Sequence, residues 1–295
     1  MKMLRRAYRG LVPDPVRKVN RRAFEAISDR LQTELPPTRL RQHISPLWLD
    51  FVASGRDQLE FSIELAGLAP TDRVLDVACG CGRFAIPLAE YLQPGGSYEG
   101  LDVLKDLIEW CSEHVATRHS RFRFQVADVI TPWSRDRTHT VCTYPFPFPH
   151  SDFDFVYAGS LFTHLTEPGA RNYMSQVAAV LKPGGRFVCT WLLFNSTNPS
   201  RLQGKSLTEL WPNDHGSHRT KSDDFPELSV AYDEPWVRAR YAELGLKIVE
   251  PIRPDATYST TRIPEDRIQG RHLYYSHCIV AERAGRRGLA PCQMQ

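Results

Sequence analysis

The 295-residue sequence predicts an α/β fold: a doubly wound, mostly parallel sheet with helices on both faces, preceded by a basic helical extension. Three observations carry this expectation. The run Val74-Leu75-Asp76-Val77-Ala78-Cys79-Gly80-Cys81-Gly82-Arg83-Phe84 reads as a buried strand that breaks on two glycines into a helix. Beyond it, strand-like apolar runs alternate with helical patterns. Two handoffs, Leu92-Gln93-Pro94-Gly95-Gly96 and Leu181-Lys182-Pro183-Gly184-Gly185, share one device: a helix end, a proline that cannot continue it, and glycines that turn the chain.

The elements follow in order. Residues 1–35 are basic and helical from about Asp14, with Val16, Val19, Phe24, Ile27 and Leu31 available for one face, and Pro36-Pro37 ends that helix. Two short helices are expected around 47–53 and 58–68, and Gly67 and Pro70 lead into the strand at 74–77. A helical pattern opens at Arg83 with Phe84, Leu88, Tyr91 and Leu92. Strands are expected at 97–102, 122–128 and 153–160, and a further one after the second handoff. Residues 131–150 form a long polar loop closed by Pro145-Phe146-Pro147-Phe148-Pro149, whose prolines favour an extended path. Residues 195–234 read as a polar insertion with Trp211, His215 and His218 embedded, long enough to serve as a lid. A helix starts at Asp233-Glu234-Pro235, where acids and a proline suit the positive helix end, and runs to 244. Strands at 246–249 and about 273–281 complete the domain. The expected organisation is thus an extension over 1–58, a domain over 59–283 and a tail over 284–295.

Net charge is +3, unevenly spread: residues 1–35 carry +5 and the remainder −2. A basic arm can meet a membrane surface or an acidic partner, but the aromatics that stack bases are sparse there, so no nucleic-acid partner is expected. The plainer reading is a solvated helical extension. No apolar stretch reaches the roughly 20 residues of a membrane span. Seven cysteines, an odd number without framework spacing, suit a reducing compartment, and the expected location is cytoplasmic. Cys79-x-Cys81 has no second pair nearby and reads as small buried thiols; no metal is expected.

A strand that breaks on Gly-x-Gly into a helix brings bare backbone N–H groups and the positive helix end up to a ligand. The spacing alone is a weak signal. It gains weight from the acids in or at the ends of the first three strands: Asp76, Asp102 (twenty residues past Gly82) and Asp128. With residues 153–160 as a fourth strand and the turn at 181–187 leading to a fifth, the ordered set resembles the class I S-adenosylmethionine-dependent methyltransferases, from about residue 59 to 283. The resemblance implies a seven-stranded sheet whose last strand is antiparallel. It implies S-adenosyl-L-methionine as cofactor, with Asp76, Cys79, Gly80, Gly82, Asp102, Val103, Asp128, Val129 and Ser160 as the cofactor-binding set.

Roles follow within it. Asp76 can accept from glycine-loop amides or, through water, from a ligand ammonium; the resemblance implies the second. Asp102 offers two oxygens to vicinal ribose hydroxyls, or caps the following helix, and the two roles can coexist. Asp128 would take the adenine amine, with Val129 offering its N–H; otherwise Asp128 is a strand-end turn residue. His164, just past the fourth strand, is the first choice of general base, partly buried between Phe162 and Leu165, with local capping or packing as its alternative. His215 and His218 come second. The Asn-Pro-Pro-Tyr type of sequence used by many methyltransferases of nucleobase or glutamine amino groups is replaced by Ala158-Gly159-Ser160-Leu161. This leans the acceptor towards a small-molecule or glycan hydroxyl. N- or C-methylation, a non-catalytic S-adenosylmethionine-binding protein and a nicotinamide-dependent oxidoreductase stay open, the last because Gly80-x-Gly82-x-x-Ala85 with Asp102 also fits a dinucleotide fingerprint. The oligomeric state has no sequence signal.

Overall fold

In the computed structural model, residues 35–44, 50–131, 134–195, 206–254 and 276–285 are described. The helix expected from Asp14 and all but two residues of the tail lie outside them. The chain divides into two compact units, Met1–Leu49 and Asp50–Gln295. The described part of the first holds one short helix, α1 (Thr38–Arg41), entered from Pro37.

The second unit opens with α2 (Phe51–Glu64), capped by Asp50, whose Oδ1 accepts from the backbone N–H groups of Val52 and Ala53 at 3.0 Å each. One continuous helix covers parts of both short ones expected around 47–53 and 58–68, residues 47–49 lying outside the described residues, and the expected boundary at 58 falls inside it. Gly55, which weakens a helix by propensity, sits in its interior for a packing reason: a Cβ there would stand 2.3 Å from the Arg83 carbonyl oxygen.

The main sheet is built from β1 (Arg73–Val77), β2 (Ser97–Asp102), β3 (Phe122–Val126), β4 (Phe153–Ala158) and β5 (Leu181–Trp191). Its far edge has β10 (Leu246–Ile248), β11 (Arg253–Pro254) and β12 (His277–Arg283), numbered after the small strands below. The order is β10-β12-β5-β4-β1-β2-β3, with β11 added beside β12. β1 pairs in parallel with both β2 and β4, and β12 runs antiparallel to β5 and to β10. The seven-stranded path and its antiparallel last strand match the sequence expectation. The crossovers are α3 (Ala85–Tyr91), α4 (Lys105–Cys111), which continues as a π-helical turn, Ser112–Ala116, and α5 (Glu167–Val180). Val74, Leu75, Phe153, Phe155 and Val156 are fully buried, as two-sided cover of a parallel sheet requires.

The strand order reverses at β1, between β2 and β4, so the carboxyl ends of β1 and β4 open a crevice. The opposite edge is tied shut. Asp154 accepts from the Arg73 backbone N–H at 2.9 Å and from Lys182 Nζ at 2.8 Å, joining the starts of β1, β4 and β5.

The polar insertion is not an irregular loop where it is described. β6 (Leu193–Phe194), β7 (Asn213–Asp214), β8 (His218–Thr220) and β9 (Val230–Asp233) form a second sheet, ordered β6-β9-β8-β7, with α6 (Leu207–Leu210). Trp211 is buried with Leu192, Leu210 and Ala231, and its Nε1 donates to Ser229 Oγ at 2.9 Å. Buried Arg219 satisfies the carbonyls of Trp211 and Pro212 at 2.8 and 3.0 Å and pairs with Asp214. Next comes α7 (Glu234–Glu243). The 131–150 segment is irregular, as expected, but Tyr144 and Phe146 are buried and Asn172 of α5 donates to the Val141 and Tyr144 carbonyls.

Candidate active site

The crevice begins where β1 ends. Ala78 and Cys79 donate to the Leu101 carbonyl at 2.7 and 3.1 Å, so the chain leaves β1 still pinned to β2. Ala78, Gly80 and Gly82 then take positive φ values of 66°, 57° and 82°. Glycine enters that region freely, whereas Ala78 is strained there. Ser160, past the end of β4, is a second strained residue (φ 59°), held by its N–H donating to Thr190 Oγ1 at 2.7 Å. Two strained non-glycine residues thus flank the switch point.

Asp102, at the end of β2, crosses to the glycine loop. Its Oδ2 accepts from the Gly80 N–H at 2.8 Å and its Oδ1 from the Leu104 N–H at 2.9 Å. The carboxylate keeps acceptor capacity for a further donor, so loop bracing and ligand binding can share it. Burial raises its pKa, and the amides of Leu104, Gly80 and Val103 oppose the rise. Asp76 is buried inside β1 and accepts from the Tyr98 hydroxyl at 2.8 Å. Burial pushes it up to about 7 despite that bond. It is therefore a group that a neighbouring cation would ionise. The thiols of Cys79 and Cys111 both point at the Gly80 carbonyl, at 3.7 and 3.8 Å, and Cys79 and Cys81 are buried. Val103, half-buried, follows Asp102 on the same rim.

Asp128 lies two residues beyond β3, which stops at Val126 rather than reaching 128. Its Oδ1 accepts from the Thr138 N–H at 3.0 Å, a bond that holds its pKa down. It thereby anchors the 131–150 segment. The N–H of buried Val129 donates to the Ala127 carbonyl at 2.9 Å, so it is not presented to a ligand as expected.

His164 ends a 3-10 turn, Phe162–His164, after β4. The expectation of a partly buried ring is corrected. The tight turn sends Phe162 and Thr163 inward and leaves His164 exposed, while Leu165 is buried. Its Nδ1 lies 2.7 Å from the Glu227 carbonyl oxygen. A carbonyl only accepts, so Nδ1 carries the proton and Nε2 presents a lone pair, the tautomer a base needs. His215 and His218 are stacked on each other 4.8 Å apart, and His218 on Tyr232 at 5.4 Å. They belong to the second sheet's packing, and burial lowers His218's pKa.

Arg83 is a site residue that sequence reasoning missed. It is buried beside the glycine loop, and with the Gln58 amide oxygen turned towards it, Nε and Nη2 are satisfied at 3.2 Å each. Nη1 has no partner. A buried guanidinium nitrogen without an acceptor, close enough to bear on Asp76, suits a ligand carboxylate. Its sequence signal was only a basic residue one step past the second glycine. Two buried carboxylates, one open guanidinium nitrogen and a glycine turn form a donor and acceptor set that fits S-adenosylmethionine: a diol, a cationic ammonium and sulfonium, and a carboxylate.

The fold is an α/β domain of the class I type with this crevice at its switch point. Residues 74–185 match the family model described as a methyltransferase domain. The chain is similar to a demethylmenaquinone methyltransferase of Symbiobacterium thermophilum, 31% identical over 120 residues that make up 41% of this chain and 42% of the relative. It is also similar to an aklanonic acid methyltransferase of a Streptomyces species, 29% identical over 147 residues, 50% of this chain and 58% of the relative. It therefore spans less than half the length of the first relative. In fold it is similar to a 1,6-didemethyltoxoflavin N1-methyltransferase of Burkholderia thailandensis, solved with its namesake substrate and S-adenosylhomocysteine, with a TM-score of 0.52 at 16% identity over 90% of each chain. Residues 74–185 thus resemble a methyltransferase domain, carried on a fold of the class I S-adenosylmethionine-dependent methyltransferase type.

Proposed function

We propose that this chain transfers the methyl group of S-adenosylmethionine to a hydroxyl of a small-molecule acceptor. The observation that supports the cofactor reading best is the buried Asp102 carboxylate, bridged to the Gly80 and Leu104 amides at 2.8 and 2.9 Å at the end of the second strand. A nicotinamide dinucleotide fits less well, because Asp76 puts a buried carboxyl in the first strand, where a cationic ligand suits it and a pyrophosphate does not. The reaction is an in-line displacement. The acceptor oxygen forms the new O–C bond, the C–S bond breaks, its electron pair returns to sulfur as a neutral thioether, and the hydroxyl proton passes to His164 Nε2. Holding donor and acceptor in line supplies roughly 7–11 kcal/mol of the barrier. A base adds about 10²–10⁴-fold for a weakly acidic hydroxyl.

The relatives are named for small organic acceptors, demethylmenaquinone and aklanonic acid, which supports a small molecule over a glycan. The test is incubation of the purified chain with isotopically labelled methyl donor and a fractionated metabolite pool, followed by structure determination of the labelled product. A labelled ether supports the reading. Label on nitrogen or carbon replaces the hydroxyl with that atom. Bound cofactor without transfer to any fraction points to a non-catalytic binding protein.

A further inference from the structure

The two most exposed large apolar side chains among the described residues stand three positions apart on one turn beside His164. Phe225 and Leu228 are 66% and 57% exposed, against 41% for Leu65 and 40% for Ile130. Phe225 caps and Leu228 ends the 3-10 turn Pro226–Leu228, which lies between β8 and β9. The turn is firmly held. The Leu228 N–H donates to the Phe225 carbonyl at 3.1 Å, the Phe225 N–H to Ser222 Oγ at 3.3 Å, and the Lys221 N–H to the Ser229 carbonyl at 3.2 Å. The Glu227 carbonyl is the partner of His164 Nδ1 at 2.7 Å. One strand further on, the Tyr232 hydroxyl donates to the Leu165 carbonyl at 2.7 Å. The second sheet is thus bonded to the segment that follows β4 at His164 and at Leu165.

A fixed turn that offers a phenyl ring and an isobutyl group to water gains nothing from that exposure in the isolated chain. Its place says what covers it. The turn is continuous with the rim on which the acceptor must arrive for His164 to take its proton. Its charge narrows the occupant further: residues 221–228 carry Asp223, Asp224 and Glu227 against the single base Lys221. That excess of carboxylates repels a phosphate, a carboxylate or an anionic lipid headgroup.

We infer that Phe225 and Leu228 are specificity-determining residues that contact an uncharged apolar portion of the methyl acceptor, an aliphatic chain or second ring extending from its hydroxyl-bearing end. The inference rests on the methyltransferase reading above and names the acceptor class that reading leaves open.

The experiment titrates the full chain, saturated with S-adenosylhomocysteine, with catechol and its 4-ethyl, 4-butyl and 4-hexyl derivatives, following binding by calorimetry. For the unmodified chain, affinity rises by about two- to fourfold per added methylene as apolar surface leaves water. In the double variant Phe225→Ser/Leu228→Ser that dependence flattens to less than about 1.5-fold per methylene. Both side chains point to solvent, so melting temperature and S-adenosylhomocysteine affinity stay as they were. Absence of chain-length dependence in the unmodified chain, failure of every catechol to bind, or an equal slope in the double variant would overturn the inference. A parallel sedimentation with phosphatidylcholine vesicles checks the other apolar occupant. Vesicle binding that the double variant loses, with no chain-length dependence for the catechols, makes the turn a membrane contact and also overturns it. Failure of S-adenosylhomocysteine itself to bind would instead count against the cofactor reading, so the two failures are distinguishable.

Discussion

Asp102→Asn is the sharpest perturbation of the glycine loop. The substitution keeps size and shape and changes only what the side chain can accept. In the native chain the two carboxylate oxygens take two backbone donors, Gly80 N–H and Leu104 N–H, at 2.8 and 2.9 Å. An asparagine has one oxygen, so its NH₂ group must face one of those N–H groups. A buried donor left without an acceptor costs about 1–3 kcal/mol. The relief of no longer burying a charge offsets part of this, since burial already raises the Asp102 pKa. The net expectation is a stability loss of about 1–2 kcal/mol, or a melting temperature lower by several degrees at roughly 2–4 °C per kcal/mol for a domain of this size. Cofactor affinity falls further, because the ribose diol meets a neutral amide and a displaced loop instead of a charged acceptor. A loss of about 1.4–3 kcal/mol is ten- to roughly a hundred-fold in Kd. Thermal unfolding and calorimetric titration with S-adenosylmethionine, on the same samples, read both quantities. A variant that melts with the native chain and binds the cofactor within twofold would refute the bridging role of this carboxylate.

Five further outcomes are expected. Asp76, pushed up to about 7 by burial, keeps its proton in the folded chain where an unfolded aspartate has lost it, so stability without cofactor falls as pH rises from about 4 to 7 and levels off above. A bound cation favours the ionised form, so S-adenosylmethionine binds more tightly up to about pH 7 with release of a proton, and Asp76→Asn abolishes that slope in calorimetry across buffers of different ionisation heat. Gly55→Ala, which improves a helix by propensity, here sets a Cβ 2.3 Å from the Arg83 carbonyl oxygen and lowers stability by about 1–3 kcal/mol in denaturant unfolding. Arg83→Gln weakens S-adenosylhomocysteine by tenfold or more and leaves 5′-methylthioadenosine, which lacks the carboxylate, unchanged; equal losses for both ligands would make Arg83 a packing residue. His164→Ala and His164→Gln both lower kcat by about 10²–10⁴-fold on the true acceptor with cofactor affinity kept, and near-native kcat with an unchanged pH profile would remove His164 from the chemistry.

The main sheet was legible because its signals are local. The apolar run at 74–77, the glycine pair and the Pro-Gly-Gly handoffs each act within a few residues, and Asp76 and Asp102 fall where a nucleoside-binding sheet puts acids. Features decided by distant contacts were not legible. Gly55 reads as a breaker until the Arg83 carbonyl is placed against it. The second sheet has strands of two to four residues, too short for alternation to show, and its cohesion comes from Trp211, Arg219 and Tyr232 meeting across the insertion. The exposure of His164 is set by one tight turn, and the N–H of Val129 is spent on a carbonyl two residues back; residue spacing reports neither. Arg83 became a site residue only when Gln58, from a separate helix, left one of its nitrogens open.

The central claim is that the crevice at the carboxyl ends of β1 and β4 holds S-adenosylmethionine. Its most direct test is calorimetric titration of the full chain, stripped of copurified ligand, with S-adenosylmethionine and, separately, with a nicotinamide dinucleotide. Saturable one-site binding of S-adenosylmethionine in the low-micromolar range, about −7 to −8 kcal/mol, and no heat from the dinucleotide is the expected result. Saturable binding of the dinucleotide with none of S-adenosylmethionine would contradict it.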